Sequence, residues 1–184
     1  MTGLKLPRLE NGRVRLRAFA ASDIAVVQAA SFDPHIPLIT TVPTNDSAAD
    51  ALAFIARQHD RLTTLAGYSF AIADAHTDEA VGQIGLWLRN IDNGRVDIGY
   101  WVEAGHRQAG YATAAPGLLT EWAFTITEVA RLELSVEPWN EPSRRLAERL
   151  GFRREGLMRQ WQRVGKERKD MYLYALLRSD VEHV

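Results

Sequence analysis

A tight-turn signal in the middle of the chain constrains the fold more than any other feature. Asp92-Asn93-Gly94 separates two apolar segments with strand character, Val81–Leu88 and Arg95–Val102. Such a turn between two strands is typical of a hairpin, because asparagine and glycine tolerate the left-handed backbone that a tight turn needs. The two strands are therefore predicted to be antiparallel, which excludes a fully parallel, doubly wound sheet.

Hydrophobic periodicity predicts further strands and helices around this hairpin. Helices are predicted after the cap candidates Ser22-Asp23, after Asn45-Asp46-Ser47, between Val102 and Arg131, and near 141–150. The strand candidates are Arg13–Ala18, Tyr68–Ala73, Val81–Leu88, Arg95–Val102, Arg131–Val136 and Met171–Leu177. This order of elements predicts an α+β fold around a mixed sheet.

Residues 33–46 are predicted to form a loop, since they contain three prolines. The segment is unusually apolar for a loop, with Ile36, Leu38, Ile39 and Val42. Two interpretations are open. The segment is either a cover packed over the core or a flexible wall of a substrate pocket, because binding residues favour loops.

The composition limits the chemistry. The chain has 184 residues and no cysteine, which excludes disulfides, thiolate metal sites and a cysteine nucleophile. Its 22 Lys and Arg nearly balance 23 Asp and Glu, which argues against binding along the whole surface to DNA or acidic lipid. No apolar run reaches the roughly 18 residues of a membrane span, and the first residues lack a signal peptide's apolar core. We expect one domain over 1–184, in the cytoplasm.

The stretch from Asp97 to Thr113 predicts a phosphate-binding loop. A strand leads into a short Gly- and Ala-containing loop, and an amphipathic helix begins at once. Free backbone N–H groups and the positive end of the helix dipole meet at such a point. Gly110 and Ala112 leave the backbone approachable, and Arg107 can add charge. The glycine spacing differs from the ATP- and NAD-binding fingerprints, and a glycine placed only for turning is the alternative.

Four further motifs follow this loop along the chain. They are Leu132–Ser143, Leu146–Phe152, Arg154–Arg159 and Lys169–Leu177. Together with Arg107–Ala112 they resemble, in the same order, the GCN5-related N-acetyltransferase (GNAT) family, beside its branch of ribosomal-protein N-terminal (RimJ/RimL-type) acetyltransferases. The resemblance implies a three-layer fold with a mixed, largely antiparallel, splayed central sheet flanked by helices.

The resemblance also implies acetyl-CoA, or another acyl-CoA, as co-substrate and no metal. In the family, main-chain N–H groups of the loop cradle the pyrophosphate, and the end of the preceding strand pairs with the pantetheine arm. The residues that this implies for acyl-CoA binding are Tyr100, Trp101, Val102, Arg107, Gln108, Ala109, Gly110, Tyr111, Ala112, Thr113, Asn140 and Ser143.

Asn140 and Ser143 match the family's N-x-x-S motif. By themselves they indicate a helix N-cap and a hydroxyl in the first helical turn. The resemblance instead gives Asn140 a hydrogen bond to the CoA arm, and it makes Ser143 the candidate that protonates the leaving thiolate.

The group that accepts the proton of the amine is left open. In the related ribosomal-protein enzymes a glutamate follows the motif phenylalanine by ten positions, and here that position holds Gln162, which cannot accept a proton. Asp97 is one replacement, with strand pairing or a surface role as its alternative, and a water chain is another. Glu133 and Glu137 alternate with apolar residues and reach either the cleft or solvent. His106 is expected to be a turn residue.

Two local features depart from a simple assignment. Pro116 lies a few residues into the predicted helix, so this helix is expected to begin late or bend while the site is kept. Residues 153–169 hold seven basic side chains against two acidic ones, a net charge of +5. They indicate either a solvated strand face or hairpin, or a surface that attracts an anionic acceptor, a CoA phosphate or RNA.

We therefore expect an N-acetyltransferase that moves the acetyl group of acetyl-CoA directly to an amine, of a protein N-terminus or a small molecule, in a ternary complex. The alternatives are a CoA-binding sensor with little catalysis, an enzyme that uses a longer acyl-CoA such as succinyl-CoA, and an RNA- or ribosome-associated module. The expected partners are acyl-CoA and the amine, without a membrane or nucleic acid, and a homodimer is left open.

Overall fold

The computed structural model describes residues 5–181. The strands of this part of the chain are β1 (Leu9–Glu10), β2 (Val14–Arg17), β3 (Gly67–Asp74), β4 (Ala80–Asn90), β5 (Arg95–Val102), β6 (Arg131–Val136), β7 (Arg153–Val164) and β8 (Glu167–Leu177). Its α-helices are α1 (Ile24–Ser31), α2 (Ile36–Ile39), α3 (Ala48–Thr63), α4 (Tyr111–Ala123), α5 (Glu141–Arg149) and α6 (Arg178–Val181). Within 5–181 no helix is both long and apolar enough to span a lipid bilayer.

The eight strands form one mixed sheet in the order β1-β2-β3-β4-β5-β6-β8-β7. Neighbouring strands are antiparallel except β5 and β6, which pair in parallel. Gly94, with φ +70°, closes the turn between β4 and β5. Glycine adopts this left-handed backbone without strain, and the predicted hairpin and mixed sheet are confirmed.

β5 and β6 pair only where they begin. Their parallel register runs from Arg95 and Arg131 to Asp97 and Glu133 and stops there, although both strands continue. Beyond Asp97, β5 is therefore paired with β4 on one side and not with β6 on the other. This opening between β5 and β6 is termed the fork, and it confirms the splayed sheet that the resemblance implied.

Helices cover both faces of the sheet. On the α4 face, α4 and α5 pack over a core that includes Leu119 and Tyr174. On the α3 face, α1 to α3 pack over a second core that includes Phe54 and Trp101. Burial of each such side chain contributes about 1.5–3 kcal/mol. Because successive side chains of a strand point to opposite faces, Tyr100 lies on the α4 face.

The loop predicted over 33–46 contains a short helix, and this part of the prediction was wrong. Asp33 Oδ1 accepts the backbone N–H groups of His35 and Ile36 at 2.8 and 2.9 Å, which starts the turn that becomes α2. Ile36 and Val42 are buried in the core of the α3 face. The segment is therefore a packed cover over the core.

The Ser22-Asp23 cap was predicted correctly in position only, because Asp23 is the N-cap residue of α1 but its side chain makes no capping hydrogen bond. The Asp23 carboxylate does not cap α1, and instead forms a two-point ion pair with Arg17 at 2.7 and 3.0 Å. The cap of α3 is confirmed, since Ser47 Oγ accepts the N–H of Asp50. Burial explains the difference: Asp23 is 6% exposed, and a buried carboxylate needs a charged partner.

The basic segment 153–169 forms β7, the turn at Gly165 and the beginning of β8, which confirms the hairpin interpretation. The individual strand β7 was not predicted. Its burial pattern is almost entirely exposed, so it carries no apolar alternation. β1 escaped prediction because two residues have no periodicity to recognise.

Candidate active site

The fork leaves one backbone edge of β5 unpaired, and the gap between the diverging strands β5 and β6 is termed the slot. The edge belongs to β5 between Ile98 and Val102 and faces the diverging end of β6. Backbone N–H and C=O groups seek partners, and an extended molecule that carries amide groups can pair with such an edge as a strand would. The pantetheine arm of CoA has this chemistry. The predicted residues Tyr100, Trp101 and Val102 all lie on this edge.

The loop after β5 holds its N–H groups ready for an anion. Gln108 and Gly110 both have a left-handed backbone, with φ of +64° and +86°. The first helical bonds of α4 run from Thr113 N–H, at 3.2 Å, and from the next residue to Gly110 C=O. The N–H groups of Tyr111 and Ala112 precede those bonds and have no partner within the helix. Alternating left-handed residues before a helix form the concave backbone that binds phosphate.

Arg107 was predicted to add charge to this loop, and it has other partners. Its Nη2 lies 2.5 Å from Asp33 Oδ2, and its Nε donates to the carbonyl of Val102 at 3.1 Å. The Asp33 side chain is 5% exposed. Burial raises the pKa of this carboxyl, but the N–H groups of Ile36 and His35 and the Arg107 guanidinium outweigh burial and hold it below its usual value. Arg107 thus fastens the loop to the α1–α2 connection.

Arg13, which was not predicted, lies against the loop. Its Nη2 donates to the carbonyl of Ala109, and its guanidinium carbon lies 5.3 Å from the ring centroid of Tyr111. A Cβ built on Gly110 would lie 3.5 Å from Arg13 Nε. In the sequence Arg13, Arg15 and Arg17 alternate with apolar residues, a pattern that indicates only a solvent-exposed strand face. The contact joins positions 96 residues apart, so no local pattern could reveal it.

Ser143 lies on the α4 face, in the first turn of α5. Tyr100 Oη donates to Ser143 Oγ at 3.2 Å. Burial raises the pKa of the Tyr100 phenol, and the hydrogen bond to Ser143 offsets only part of that rise. The phenol therefore keeps its proton near neutral pH. Because Ser143 Oγ accepts from Tyr100, its own proton is free to be donated elsewhere.

Asn140 has the local role that its position indicated. Its Oδ1 accepts the N–H of Ser143 at 3.3 Å and caps α5. The side-chain NH₂ group of Asn140 is a donor that this cap does not use. The cap also fixes the first turn of α5, and with it the Ser143 hydroxyl beside Tyr100.

The side chain of Trp101 points away from the slot, into the α3 face. Its Nε1 donates to Gln83 Oε1 at 2.8 Å, and Gln83 Nε2 donates to Gln58 Oε1 at 2.8 Å. Ser69 Oγ also donates to Gln58 Oε1, at 3.1 Å. Every member of this network is buried and satisfied, which fixes the strand rigidly. Trp101 can therefore serve the slot only through its backbone.

Trp87 forms a wall of the α3 face beside β5. A Cβ on Gly85 would lie 2.3 Å from Trp87 Cζ2, and a Cβ on Gly99 would lie 3.2 Å from Trp87 Nε1. The indole of Trp87 thus packs directly on the backbone of Gly85 and Gly99, where a larger residue would crowd it. The Arg61 guanidinium lies 4.3 Å from the ring centroid. An acceptor that approaches β5 from this face meets an aromatic wall.

Asp97 lies at the closed end of the fork, in register with Glu133. Burial raises the pKa of the Asp97 carboxyl, and Arg89, 3.8 Å away, opposes this effect. Glu133 accepts a hydrogen bond from Arg131 Nε at 2.6 Å. The catalytic role of Asp97 stays a prediction.

Glu137 and His35 meet on the α3 face, where β6 ends. Glu137 Oε2 accepts from Trp139 Nε1 at 2.8 Å, and Glu137 Oε1 lies 3.0 Å from His35 Nε2. The His35 ring also packs edge-on against Trp139, with centroids 5.0 Å apart. Gln162 pairs with Lys169 across the β7–β8 hairpin. His35 had no sequence signal, because it belongs to a segment without periodicity.

The chain matches the family model described as the acetyltransferase (GNAT) domain over residues 13–153. It is 29% identical over 168 residues to the uncharacterized N-acetyltransferase p20 of Bacillus licheniformis, and the match covers 91% of this chain and 94% of that one. The family match includes the fork, the phosphate loop and Ser143.

Solved structures share the fold. Mycobacterium smegmatis RimJ in complex with CoA-disulfide superposes with a TM-score of 0.78 at 24% identity, covering 95% of this chain and 88% of that chain. RimL, a ribosomal L7/L12 alpha-N-protein acetyltransferase in complex with coenzyme A, gives a TM-score of 0.78 at 16% identity, covering 93% and 98%. The chain belongs to the GNAT family and is an acyl-CoA-dependent N-acetyltransferase.

Proposed function

We propose that this protein transfers the acetyl group of acetyl-CoA directly to an amine in a ternary complex. The observation that carries the proposal is the Tyr100–Ser143 hydrogen bond beside the unpaired edge of β5. It sets a proton donor next to the place where a thioester that paired with β5 would lie. A sensor that only binds CoA has no use for such a donor.

The loop and the fork would hold acetyl-CoA with the backbone. The N–H groups around Gly110 and Ala112 would bind the pyrophosphate, supported by the dipole of α4. The free edge of β5 would pair with the pantetheine arm, and an N–H near Trp101 would polarise the acyl carbonyl. Stabilisation of the developing oxyanion by a fixed N–H is commonly worth about 10²–10³ in rate.

Ser143 would protonate the leaving sulfur. As the amine nitrogen bonds to the acyl carbon, the C–S bond breaks, and Ser143 Oγ–H gives its proton to the thiolate. The Tyr100 hydroxyl, 3.2 Å away, passes a proton to Ser143 and regains one from solvent, which has taken the proton that the amine nitrogen loses. The chain has no cysteine that could carry the acyl group, so the amine attacks the bound thioester itself.

We propose an α-amino group, of a protein N-terminus or a small molecule, as the acceptor. Such groups have an ordinary pKa of about 7.7–8.0, against about 10.4 for lysine, so an α-amino group becomes neutral more easily. The named activity of the neighbour RimL on ribosomal L7/L12 supports this class.

The test is release of free thiol from acetyl-CoA with a panel of amines, with succinyl-CoA as the competing donor. Ser143→Ala is expected to lower kcat about 10²-fold with CoA affinity unchanged, because proton transfer is lost and binding is kept. Ser22→Ala, at an exposed serine, is the matched control. CoA binding without thiol release for any amine, together with no effect of Ser143→Ala, would favour the sensor.

The phosphate loop is tested separately. Gly110→Glu would place a side chain on a backbone with φ +86° and a negative charge at the anion site. CoA affinity should be lost, as measured by calorimetry. Unchanged affinity would contradict the loop assignment.

A further inference from the structure

Glu137 is a buried carboxylate with one uncommitted oxygen. Its side chain is 7% exposed. Oε2 is held by Trp139 Nε1 at 2.8 Å, whereas Oε1 accepts no well-directed hydrogen bond among the described residues, although His35 Nε2 lies 3.0 Å away. A buried carboxylate oxygen without a donor costs free energy, and such groups recur where a ligand supplies the missing hydrogen. One oxygen is thus fixed by Trp139, and the other faces His35 without a well-directed hydrogen bond.

The position of Glu137 is set by the register of the fork. The last parallel pair is Asp97 with Glu133. Four residues further along each strand come Trp101 on β5 and Glu137 directly after β6. Glu137 therefore flanks the slot at the height of the β5 edge that ends in Val102, and Asp97 lies at the closed end.

Glu137 also lies on the face of the sheet opposite Ser143. Glu137 touches His35, from the α1–α2 connection on the α3 face. Ser143 touches Tyr100, which packs in the core of the α4 face. A proton donor and a proton acceptor thus flank the same slot from its two sides. This arrangement suits acyl transfer, because the amine nitrogen and the departing sulfur occupy different corners of the tetrahedral carbon and each needs its own proton-transfer group.

The groups that face Glu137 connect it to solvent. His35 is 27% exposed and can pass a proton outward. Lys169, on β8, adds positive charge, since Glu137 is among the groups that raise the pKa of Lys169, after its nearer partner Glu167. Arg144, on α5, binds the neighbouring carbonyl of Pro138. His35 thus lies between Glu137 and solvent, and positive charge surrounds the end of β6.

We propose that Glu137 is the general base of the transfer and that His35 is the residue that positions it, an assignment that rests on the proposed function. The ammonium of the acceptor gives one proton to Glu137 Oε1, which releases it to solvent by way of His35. The neutral amine attacks, the N–C bond forms and the C–S bond breaks. The second proton leaves the nitrogen for solvent, and solvent returns one proton through Tyr100 to Ser143 after Ser143 has protonated the sulfur. Glu137 supplies the function that Gln162 cannot.

The experiment compares two acceptors in the full-length protein by thiol release between pH 6.5 and 9.5. One is a short peptide with a free α-amino end, and the other is hydroxylamine, which is already neutral at pH 7. Glu137→Gln should lower kcat/KM for the peptide about 10²-fold at pH 7, and the deficit should shrink as rising pH neutralises the peptide amine. The hydroxylamine rate should stay within about threefold of the unmodified protein. His35→Gln should cause a smaller loss of the same kind.

Controls separate a base from a structural role. Glu141→Gln removes an exposed carboxylate that pairs with Arg145, and it should leave both rates unchanged. CoA affinity and thermal unfolding of each variant report on folding. The assignment is overturned if Glu137→Gln keeps the full rate with the peptide. It is also overturned if the rates with the peptide and with hydroxylamine fall equally at every pH. If Asp97→Asn, and not Glu137→Gln, lowers the peptide rate in this pH-dependent way, Asp97 is the base. No turnover in the unmodified protein would overturn the proposed function and this assignment together.

Discussion

Arg13 and Arg107 lie beside the same loop with different partners. Arg107 is bound to the buried carboxylate of Asp33, so much of its charge is compensated. Arg13 donates to a backbone carbonyl of the loop and has no carboxylate partner among the described residues. At the scale of single residues, the motif position therefore serves to hold the loop, and the charge for the proposed phosphate site would come from Arg13, outside the motif.

Arg13→Ala is expected to raise the KM for acetyl-CoA about tenfold, because one hydrogen bond to a charged group is lost. kcat should change little, since Arg13 lies at the loop and away from the Tyr100–Ser143 pair. Steady-state kinetics and the salt dependence of CoA binding measure both effects. Arg8→Ala, another exposed arginine near the same sheet edge, is the control. Equal effects of the two variants would refute a local role for Arg13.

α4 forms directly after the loop despite its internal proline. The helix begins at Tyr111, so of the two expected effects, a late start or a bend, the late start was wrong, and Pro116 is buried within the helix. Proline cannot donate to the carbonyl of Ala112, which costs the helix one hydrogen bond. At the scale of the element, α4 keeps the free N–H groups of its first turn, and the hydrogen bond that proline removes is one from the middle of the helix.

Pro116→Ala is expected to stabilise the protein by about 1 kcal/mol. Proline in a helix interior is about 3 kcal/mol worse than alanine, and loss of two ring methylenes offsets roughly 1.6 kcal/mol of that gain. The melting temperature should rise by about 2–4 °C. Gly117→Ala is the matched comparison, because its Cβ would meet Leu150 Cδ2 at an ordinary 3.5 Å. A lower melting temperature for Pro116→Ala would show that the ring is needed for packing.

Carboxylates tie distant parts of the molecule together around the loop. Asp33 joins the α1–α2 connection to Arg107, and Asp74, at the end of β3, accepts from Tyr111 Oη at 2.7 Å at the start of α4. The N–H of Thr77, the Tyr111 hydroxyl and the N–H of His76 hold the pKa of Asp74 far below its usual value. At the scale of the whole molecule, the site depends on ionised carboxylates.

Acid should therefore loosen this connection. A carboxyl whose pKa is lowered by folding contributes stability above its unfolded pKa, about 3.9, and this contribution is lost as pH falls from there towards the folded pKa. Asp74→Asn should melt at a lower temperature than the unmodified protein at pH 6, and the difference should shrink as pH falls from about 4 towards 2. Asp92→Asn, in the β4–β5 turn, should show no such convergence. A melting-temperature difference for Asp74→Asn that stays constant with pH would contradict the link between ionisation of Asp74 and stability.

Much of the fold was predictable because its signals are local. The β4–β5 turn, the cap at Ser47 and the apolar faces of α3 and α4 each depend on a few neighbouring residues. The phosphate loop and the cap at Asn140 are local for the same reason. The exposed strand β7 and the helix at Ile36 had no such signal, because β7 lacks apolar alternation and Asp33 starts α2 with a side-chain hydrogen bond.

The sequence by itself determined the β4–β5 hairpin, the longer helices and a mixed sheet, and it predicts an anion-binding loop and a hydroxyl donor, since backbone preferences and short motifs decide these. Only the tertiary structure decided where β5 and β6 part, which hydroxyl meets Ser143, and which carboxylate meets His35. Tyr100 and Ser143 are 43 residues apart, and Arg13 and Ala109 are 96 apart. Contacts at such separations follow from how the sheet is assembled and how its strands diverge, because no local preference of the chain records them.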